Sequence, residues 1–424
     1  MKKLIKNGMV YSGGHIRKLD ILIEDTLIKT VAPNLTEAAD EVIDAAGKHV
    51  FPGFVDIHAH LRDPGQTYKE DIVSGTHAAA HGGITSLCAM PNTEPVVDNI
   101  AAVDYVQRRA KDLGYAKVYV IGAMTKQSEG LEISEMATMK SGGIVAVSDD
   151  GKCVQNAKLM LNCMRYAKNF ELPVIVHSED YTLGGKGQIH AGKVATRLGL
   201  TGIPGLAEEV IIARDIMLAE SVGCRLHIAH ISTARSIEMV RDAKNRGLNI
   251  TCEVTPHHLI LTDEACLTFD TNTKMKPPLR SEKDRLACIE ALIDGTIDCI
   301  ATDHAPHADF EKVREFDQAP FGIIGFETAL PALYHHLVKP GIVMLERVVE
   351  AYSTVPARLL GLPDNELKAG NAADIVIVDL QAQSDISEEF ILSKSKNSPW
   401  LGHSLSGKII STFMDGQISW QESE

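Results

Sequence analysis

No apolar run in this chain approaches the ~20 residues that a helix needs to cross a bilayer, so no membrane-spanning helix is expected. Basic runs are missing as well. With a formal net charge of -14, a nucleic-acid surface is excluded, and an anionic substrate would have to be met by local cations. The eight cysteines (88, 153, 163, 224, 252, 266, 288 and 299) form no C-x-x-C pair and lie mostly inside apolar segments. That pattern predicts reduced core thiols in a cytoplasm, not a disulfide framework or a cysteine zinc site. The N-terminus, Met1 to Gly8, is basic but lacks an apolar core and a small-residue cleavage site, so no export signal is expected. Internal repeats, low-complexity tracts and linkers are also missing.

What remains is a chain of 424 residues, 45% apolar and 23% charged, the composition of a soluble globular protein larger than one ordinary domain. Residues 1–50 alternate short β-like runs with turn signals, and the C-terminal stretch 363–424 does the same, with Asp415-Gly416 as a hairpin turn. Both ends are predicted to pair into one small composite β-sandwich domain. Between residues 51 and 362 the rhythm becomes apolar strand, polar loop and amphipathic helix. Strand candidates are 54–58, 84–90, 117–124, 143–149, 173–177, 225–230, 250–255 and 299–303, and 207–221 has helical spacing. Eight strands separated by helices predict an α/β fold, a (β/α)8 TIM barrel.

Active sites of such barrels form at the C-terminal strand ends, and the ionisable residues fall there. Strand one ends in His58 and His60, strand four in Asp149 and Asp150, strand five in His177, strand six in His230 and strand eight in Asp303. In a strand, positions i, i+2 and i+4 share a face, so His58, His60 and Arg62 are expected to project together. Burying two imidazoles and a guanidinium makes sense beside a metal ion and an anion. Four histidines and two carboxylates suit zinc, with manganese, cobalt or iron as other ions that fit. Six ligands are enough for two ions sharing a carboxylate, roughly 3.5–4 Å apart in such sites. His227 is expected on the opposite face from His230 as a satisfied core group. His49, His77, His81, His190, His335 and His336 get the same ordinary reading. His257 and His258 follow strand seven, a place from which a side chain can support the site from behind, and neither is expected to be a ligand. Residues 307–318, polar and without glycine, read as a mobile loop over the site.

Seven stretches together carry a resemblance. They are His58-Ala59-His60-Leu61-Arg62-Asp63-Pro64-Gly65, Ala89-Met90-Pro91-Asn92-Thr93, Ser148-Asp149-Asp150-Gly151, His177-Ser178-Glu179-Asp180, His230-Ile231-Ser232-Thr233, Thr255-Pro256-His257-His258 and Ala301-Thr302-Asp303-His304-Ala305-Pro306-His307. In that order they resemble the dihydroorotases of the amidohydrolase superfamily, in particular the bacterial class in which an aspartate bridges the metals. The resemblance implies reversible, zinc-dependent interconversion of dihydroorotate and N-carbamoyl-aspartate in pyrimidine synthesis, with one or two zinc ions and two favoured. It implies that His58, His60 and Asp303 hold one ion, that His177 and His230 hold the other, and that Asp150 bridges them. Asp303 would also take the proton of the attacking water and return it to the leaving ring nitrogen. Substrate contacts are implied for His60, Arg62, Asn92, Lys276, His307, Phe321 and Gly322, with Arg62 clamping the substrate carboxylate. Lys276 departs from the family, many of whose members carry asparagine there. Other cyclic amidohydrolases, allantoinase and hydantoinase or dihydropyrimidinase, are the nearest alternatives, but they bridge with a carboxylated lysine. A non-catalytic partner of a carbamoyltransferase is a further alternative, disfavoured because all six ligands are kept. Expected partners are a small-molecule substrate, a second copy in a homodimer and an aspartate carbamoyltransferase.

Overall fold

The computed structural model describes residues 1–422. Eight strands lie where the apolar runs put them, labelled here β1 (Phe54–Ala59), β2 (Ile84–Ala89), β3 (Lys117–Gly122), β4 (Ala146–Ser148), β5 (Val174–Val176), β6 (Leu226–Ile228), β7 (Ile250–Val254) and β8 (Cys299–Ile300). Each pairs in parallel with the next in chain order. A parallel bridge from Ala59 to His304 closes the ring. The staves are buried on both faces, and β2, Ile-Thr-Ser-Leu-Cys-Ala, has no exposed residue, as a parallel sheet wrapped by helices requires. Helix Leu206–Val222 forms at the expected spacing and stops at Gly223, whose φ of 68° is a left-handed C-terminal cap that glycine adopts without strain.

Several strands are shorter than their apolar runs. The run 143–149 pairs only over Ala146–Ser148, and 299–303 only over Cys299–Ile300. Pairing stops where the chain turns outward into the loops that carry the chemistry. A two-stranded ribbon, Ile189–His190 with Gly202–Ile203, follows β5, and nothing in the sequence pattern announced it.

Strands Lys2–Ser12, His15–Glu24, Leu27–Ala32, Glu41–Asp44 and His49–Pro52 join Ile375–Asp385, Ser404–Met414 and Gln417–Gln421 in one eight-stranded sheet built from both ends of the chain. The ends meet where Phe51 pairs with Val376 in antiparallel register. Ile5, Val10, Ile23, Val50, Ile377 and Phe413 fill its core. Its hairpins turn at Gly13-Gly14 (φ 59° and 80°) and Asp415-Gly416 (φ 49° and 72°), both central residues left-handed as a two-residue hairpin of matching twist needs. Phe54 of β1 stacks on Tyr352 at 4.9 Å, both fully buried, a contribution of roughly 1.5–3 kcal/mol for each ring.

Between Ile375–Asp385 and Ser404–Met414 the chain leaves the sheet and crosses to the barrel mouth. There the Ser393 amide donates to Glu327 Oε1 (3.0 Å), Lys394 Nζ to the Thr67 carbonyl (2.8 Å) and Ser395 Oγ to the Lys69 carbonyl (2.7 Å). Among the described residues no helix is long and apolar enough to cross a membrane.

Candidate active site

The chemistry-bearing side chains sit at or just past the strand ends because the backbone leaves the sheet there. Arg62, His230 and Asp303 have φ values of 59°, 34° and 48°. Few residues with a Cβ adopt that region, and each costs about 1–3 kcal/mol unless its surroundings fix it. Around His230 the fixing group is Glu208, whose Oε1 accepts from the Ser232 and Thr233 amides (3.1 and 3.2 Å). Glu208 is itself paired with buried Arg280 (3.3 Å). Thr233 then caps helix Ala234–Asn245 by accepting from the Ser236 amide. Around Asp303, the Thr302 amide donates to Asp56 Oδ1 and the His304 amide to Thr302 Oγ1 (both 3.1 Å).

These turns bring six side chains together. His58 Nε2 lies 3.3 Å from Asp150 Oδ1 and 3.5 Å from Asp303 Oδ1; His60 Nε2 lies 2.9 Å from Asp303 Oδ1 and 3.4 Å from Asp150 Oδ2. His177 Nδ1 and His230 Nε2 approach Asp150 Oδ1 at 3.6 and 3.5 Å and each other at 3.0 Å. His58 Nε2 and Asp150 Oδ1 are buried without a hydrogen-bond partner. Orphaned donors and acceptors of that kind are rare in a folded core. Ligand atoms of His58, His60 and Asp150, of Asp150, His177 and His230, and of His58, His230 and Asp303 each lie within 4.8 Å of one another. The residues therefore fit a divalent ion, with donors of the type that zinc takes.

Asp149 and Asp150 separate cleanly. Asp149 Oδ1 accepts from the Met124 and Thr125 amides (2.8 and 3.0 Å), and its other oxygen takes the Thr125 hydroxyl, so its carboxylate is consumed in fixing the turn. Asp150 faces the cluster. Burial works against ionisation of Asp150, yet His58, His177 and His230 hold its carboxyl well below the usual range. Burial would lower His58, but Asp150, Asp303 and Glu253 raise it well above the ordinary imidazole value.

Sequence reasoning missed Glu253. In β7 its Oε1 meets His58 Nδ1 at 2.5 Å and its Oε2 meets His227 Nε2 at 3.1 Å, while His227 Nδ1 reaches Thr251 Oγ1 at 2.8 Å. His227 is the buried, satisfied group expected of it, but it shares a chain of bonds with His58. His230, just past the strand end, lines the cavity and His227 does not, so the two are separated as strand parity predicts. A carboxylate on Nδ1 fixes the imidazole tautomer and leaves the Nε2 lone pair for an ion. The only signal was a lone acid in an apolar strand. Glu253→Gln is expected to speed loss of bound zinc to a chelator about 10–100-fold; an unchanged loss rate rules out this role. His258 is structural, with Nδ1 2.7 Å from Thr255 Oγ1 and Nε2 3.0 Å from the Pro277 carbonyl. Buried His257 lies beside it with the ring centres 4.7 Å apart and the planes tilted by 48°, held neutral by burial.

Opposite the cluster lies the rest of a cavity of about 370 Å³, lined by Arg62, Asn92, Lys276, His307 and Phe321 together with the cluster residues. Arg62 is buried, and among the described residues its one side-chain hydrogen bond runs from Nε to the Pro306 carbonyl (3.2 Å). No carboxylate pairs with it among the described residues. Strand parity does not aim it, since β1 ends at Ala59, and its left-handed turn does. Asn92 Oδ1 accepts from His60 Nδ1 (2.8 Å), orienting that ring as Glu253 orients His58. Lys276 Nζ is paired with Glu179 Oε2 at 2.8 Å and lies 5.2 Å from the Phe321 ring centre. His307 Nε2 meets the Phe321 carbonyl (2.8 Å), its imidazole pushed down by burial and by Arg62, Lys69 and Lys312. Gly322 does not line the cavity. Its amide donates to the Lys274 carbonyl (2.9 Å), and its carbonyl accepts from Lys312 Nζ (3.0 Å).

The stretch read as a mobile loop is tied down. It contains the short helix Asp309–Lys312, and Lys312 is buried with Nζ donating to the Pro320 carbonyl (3.1 Å) as well. Glu311 pairs with Lys69 (3.1 Å). A charged residue in a polar stretch gives no sequence sign that it will be buried against backbone carbonyls.

The family model described as dihydro-orotase-like matches residues 47–236. A dihydroorotase of Trichlorobacter lovleyi is 49% identical over 422 residues, covering 99% of each chain. One from Caldanaerobacter subterraneus is 48% identical over 425 residues, covering 100% of this chain and 98% of that protein. Among solved structures, L-hydantoinase (dihydropyrimidinase) from Arthrobacter aurescens superposes with a TM-score of 0.91 at 25% identity, covering 100% of this chain and 96% of that one. D-hydantoinase (dihydropyrimidinase) from a Thermus species gives 0.84 at 25% identity, covering 100% and 97%.

Proposed function

This chain belongs to the dihydroorotase family, a premise from which we propose that its cavity interconverts dihydroorotate and N-carbamoyl-aspartate by opening and closing the cyclic amide. It is a hydrolase acting on cyclic amides. The observation that carries the substrate reading is Arg62, a buried guanidinium without a carboxylate partner, beside a metal-fitting cluster. A cation withdrawn from water and left unpaired is costly, and a substrate carboxylate relieves that cost with a bidentate pair.

We assign zinc to the cluster, two ions for preference: His58, His60 and Asp303 would hold one, His177 and His230 would hold the other, and Asp150 would serve both. When bound, the metal supplies a water acidic enough to attack near neutrality and a Lewis acid for the scissile carbonyl. The chain's own residues do the rest. Arg62 and Lys276 hold the carboxylate, and Asn92 keeps His60 aimed. The Phe321 ring closes one side of the cavity. Asp303, whose Oδ1 faces the histidines, receives the proton of the attacking water and returns it to the ring nitrogen as the C–N bond breaks. In the reverse direction the same carboxyl takes the proton from the ureido nitrogen.

The decisive assay is hydrolysis of dihydroorotate by the purified, zinc-loaded protein, with allantoin and hydantoin as controls. Preference for either control removes the substrate assignment. Lys276→Ala is expected to raise KM for dihydroorotate roughly fivefold, since a charge-assisted bond of about 1.5–3 kcal/mol is weakened by partial exposure. Unchanged KM and kcat put Lys276 outside the site. We place the protein in the cytoplasm, where its eight buried free thiols stay reduced. The division into 1–50 with 363–424 and 51–362, the homodimer and the association with an aspartate carbamoyltransferase are proposed too. Size-exclusion chromatography with and without that transferase tests the two assemblies.

A further inference from the structure

The segment that crosses the barrel mouth ends on a buried asparagine with an unusual set of bonds. Asn397 is 2% exposed. Its Oδ1 accepts from the His307 amide (3.1 Å), and its Nδ2 donates to the Ala305 and Gly322 carbonyls (3.0 Å each). Its own carbonyl accepts from the Ile324 amide (3.1 Å). One carboxamide thus spans the chain after β8 and the chain around Gly322, the two segments that line the cavity opposite the metal-fitting cluster.

Their separation leaves no slack. A Cβ on Gly322 would stand 2.5 Å from the Ala305 carbonyl oxygen and 2.6 Å from His307 Cδ2. A backbone bridge from His304 to Ile323 sets the two segments side by side. Beyond that bridge His307 and Lys312 reach across from the chain after β8 to the Phe321 and Gly322 carbonyls (2.8 and 3.0 Å), and Asn397 engages both segments from outside either of them. The residue type matters, because the position needs one acceptor and two donors on one planar group. A carboxylate offers no donor and would face two carbonyls.

We propose that Asn397 is a positioning residue for substrate binding: from the C-terminal segment, it fixes the spacing between the backbone bearing His307 and the backbone bearing Phe321. This rests on reading the cavity as the substrate pocket. It means that part of the substrate affinity is set by a residue supplied from the C-terminal stretch and not from the barrel's own strands and loops.

The test uses full-length, zinc-loaded protein carrying Asn397→Ala, with Asn397→Ser, which keeps one hydroxyl, as the milder variant should the first fail to fold. Ser384→Ala is the control, since Ser384 is buried in the terminal sheet and donates to the Gly407 carbonyl (2.9 Å), and neither residue lines the cavity. The expected result is a rise in KM for dihydroorotate of about tenfold with kcat within about twofold, the signature of misplaced binding groups. Amide hydrogen exchange in peptides covering 304–308 and 320–324 should accelerate in the Asn397 variants and stay as in the wild type in Ser384→Ala. An unchanged KM, or an equal KM rise in Ser384→Ala, overturns the proposal. If the wild-type protein does not turn over dihydroorotate, the substrate reading falls and the exchange data alone decide. Unchanged exchange then overturns the positioning role, and accelerated exchange supports it.

Discussion

Replacing Asp303 by asparagine is expected to lower kcat about 10³-fold in both directions, within the range that a positioned proton carrier contributes. Asp303 is buried and its Oδ1 lies 2.9 Å from His60 Nε2. Burial opposes its ionisation, yet the charges of His58 and His60 hold its carboxyl below the usual range, so the base form is ready near neutrality. An amide of the same shape fills the space but can neither accept the proton nor give it back. Because Arg62 and Lys276 lie elsewhere in the cavity, KM should stay within about threefold, the pattern of an interaction made only in the transition state. Bound zinc is measured alongside, since Asp303 is also assigned as a ligand. A variant that keeps its zinc and a kcat within tenfold of wild type ends the proton-carrier role.

The barrel was legible because periodicity in apolar runs reports burial directly. β2 to β8 fall inside predicted runs and β1 overruns its own by Ala59 alone, and the main error is length, since in most cases pairing covers less than the full apolar run. The direction of side chains beyond the strand ends was less legible. Parity joined His58 to His60 and Arg62 and set His227 apart from His230, and the cavity lining agrees, but Arg62 and His230 lie beyond the strand ends and are aimed by their own left-handed backbone and not by strand alternation. Glu253 shows the deeper limit. Its importance comes from two residues on other strands, His58 and His227, and spacing along one strand carries no trace of that. Asn397 is harder still, lying 90 residues from His307 and 75 from Gly322. An asparagine near the end of a polar stretch reads as surface until the fold brings the mouth of the barrel under it.

Arg62→Met is expected to raise KM for dihydroorotate about 10²-fold, corresponding to about 3 kcal/mol for a buried charge pair that loses one partner. The side chain is 8% exposed, and burial lowers its pKa from the ordinary guanidinium value. That is the direction for a cation held out of water with little to neutralise it. Asp303, Asp150 and Glu311 offset part of that shift, but none lies within ion-pair distance. Stability and affinity should therefore move in opposite senses. Removing an uncompensated buried charge spares its desolvation penalty, so the ligand-free variant should melt higher than the wild type while it binds dihydroorotate worse. Arg62→Lys separates charge from shape, because an ammonium keeps the charge but cannot form the two-point contact, and an intermediate KM is expected. A surface arginine would move neither quantity, and a packing arginine would lower the melting temperature. If Arg62→Met leaves KM within threefold of wild type, the anion clamp is elsewhere and the choice of a carboxylate-bearing ring loses its support.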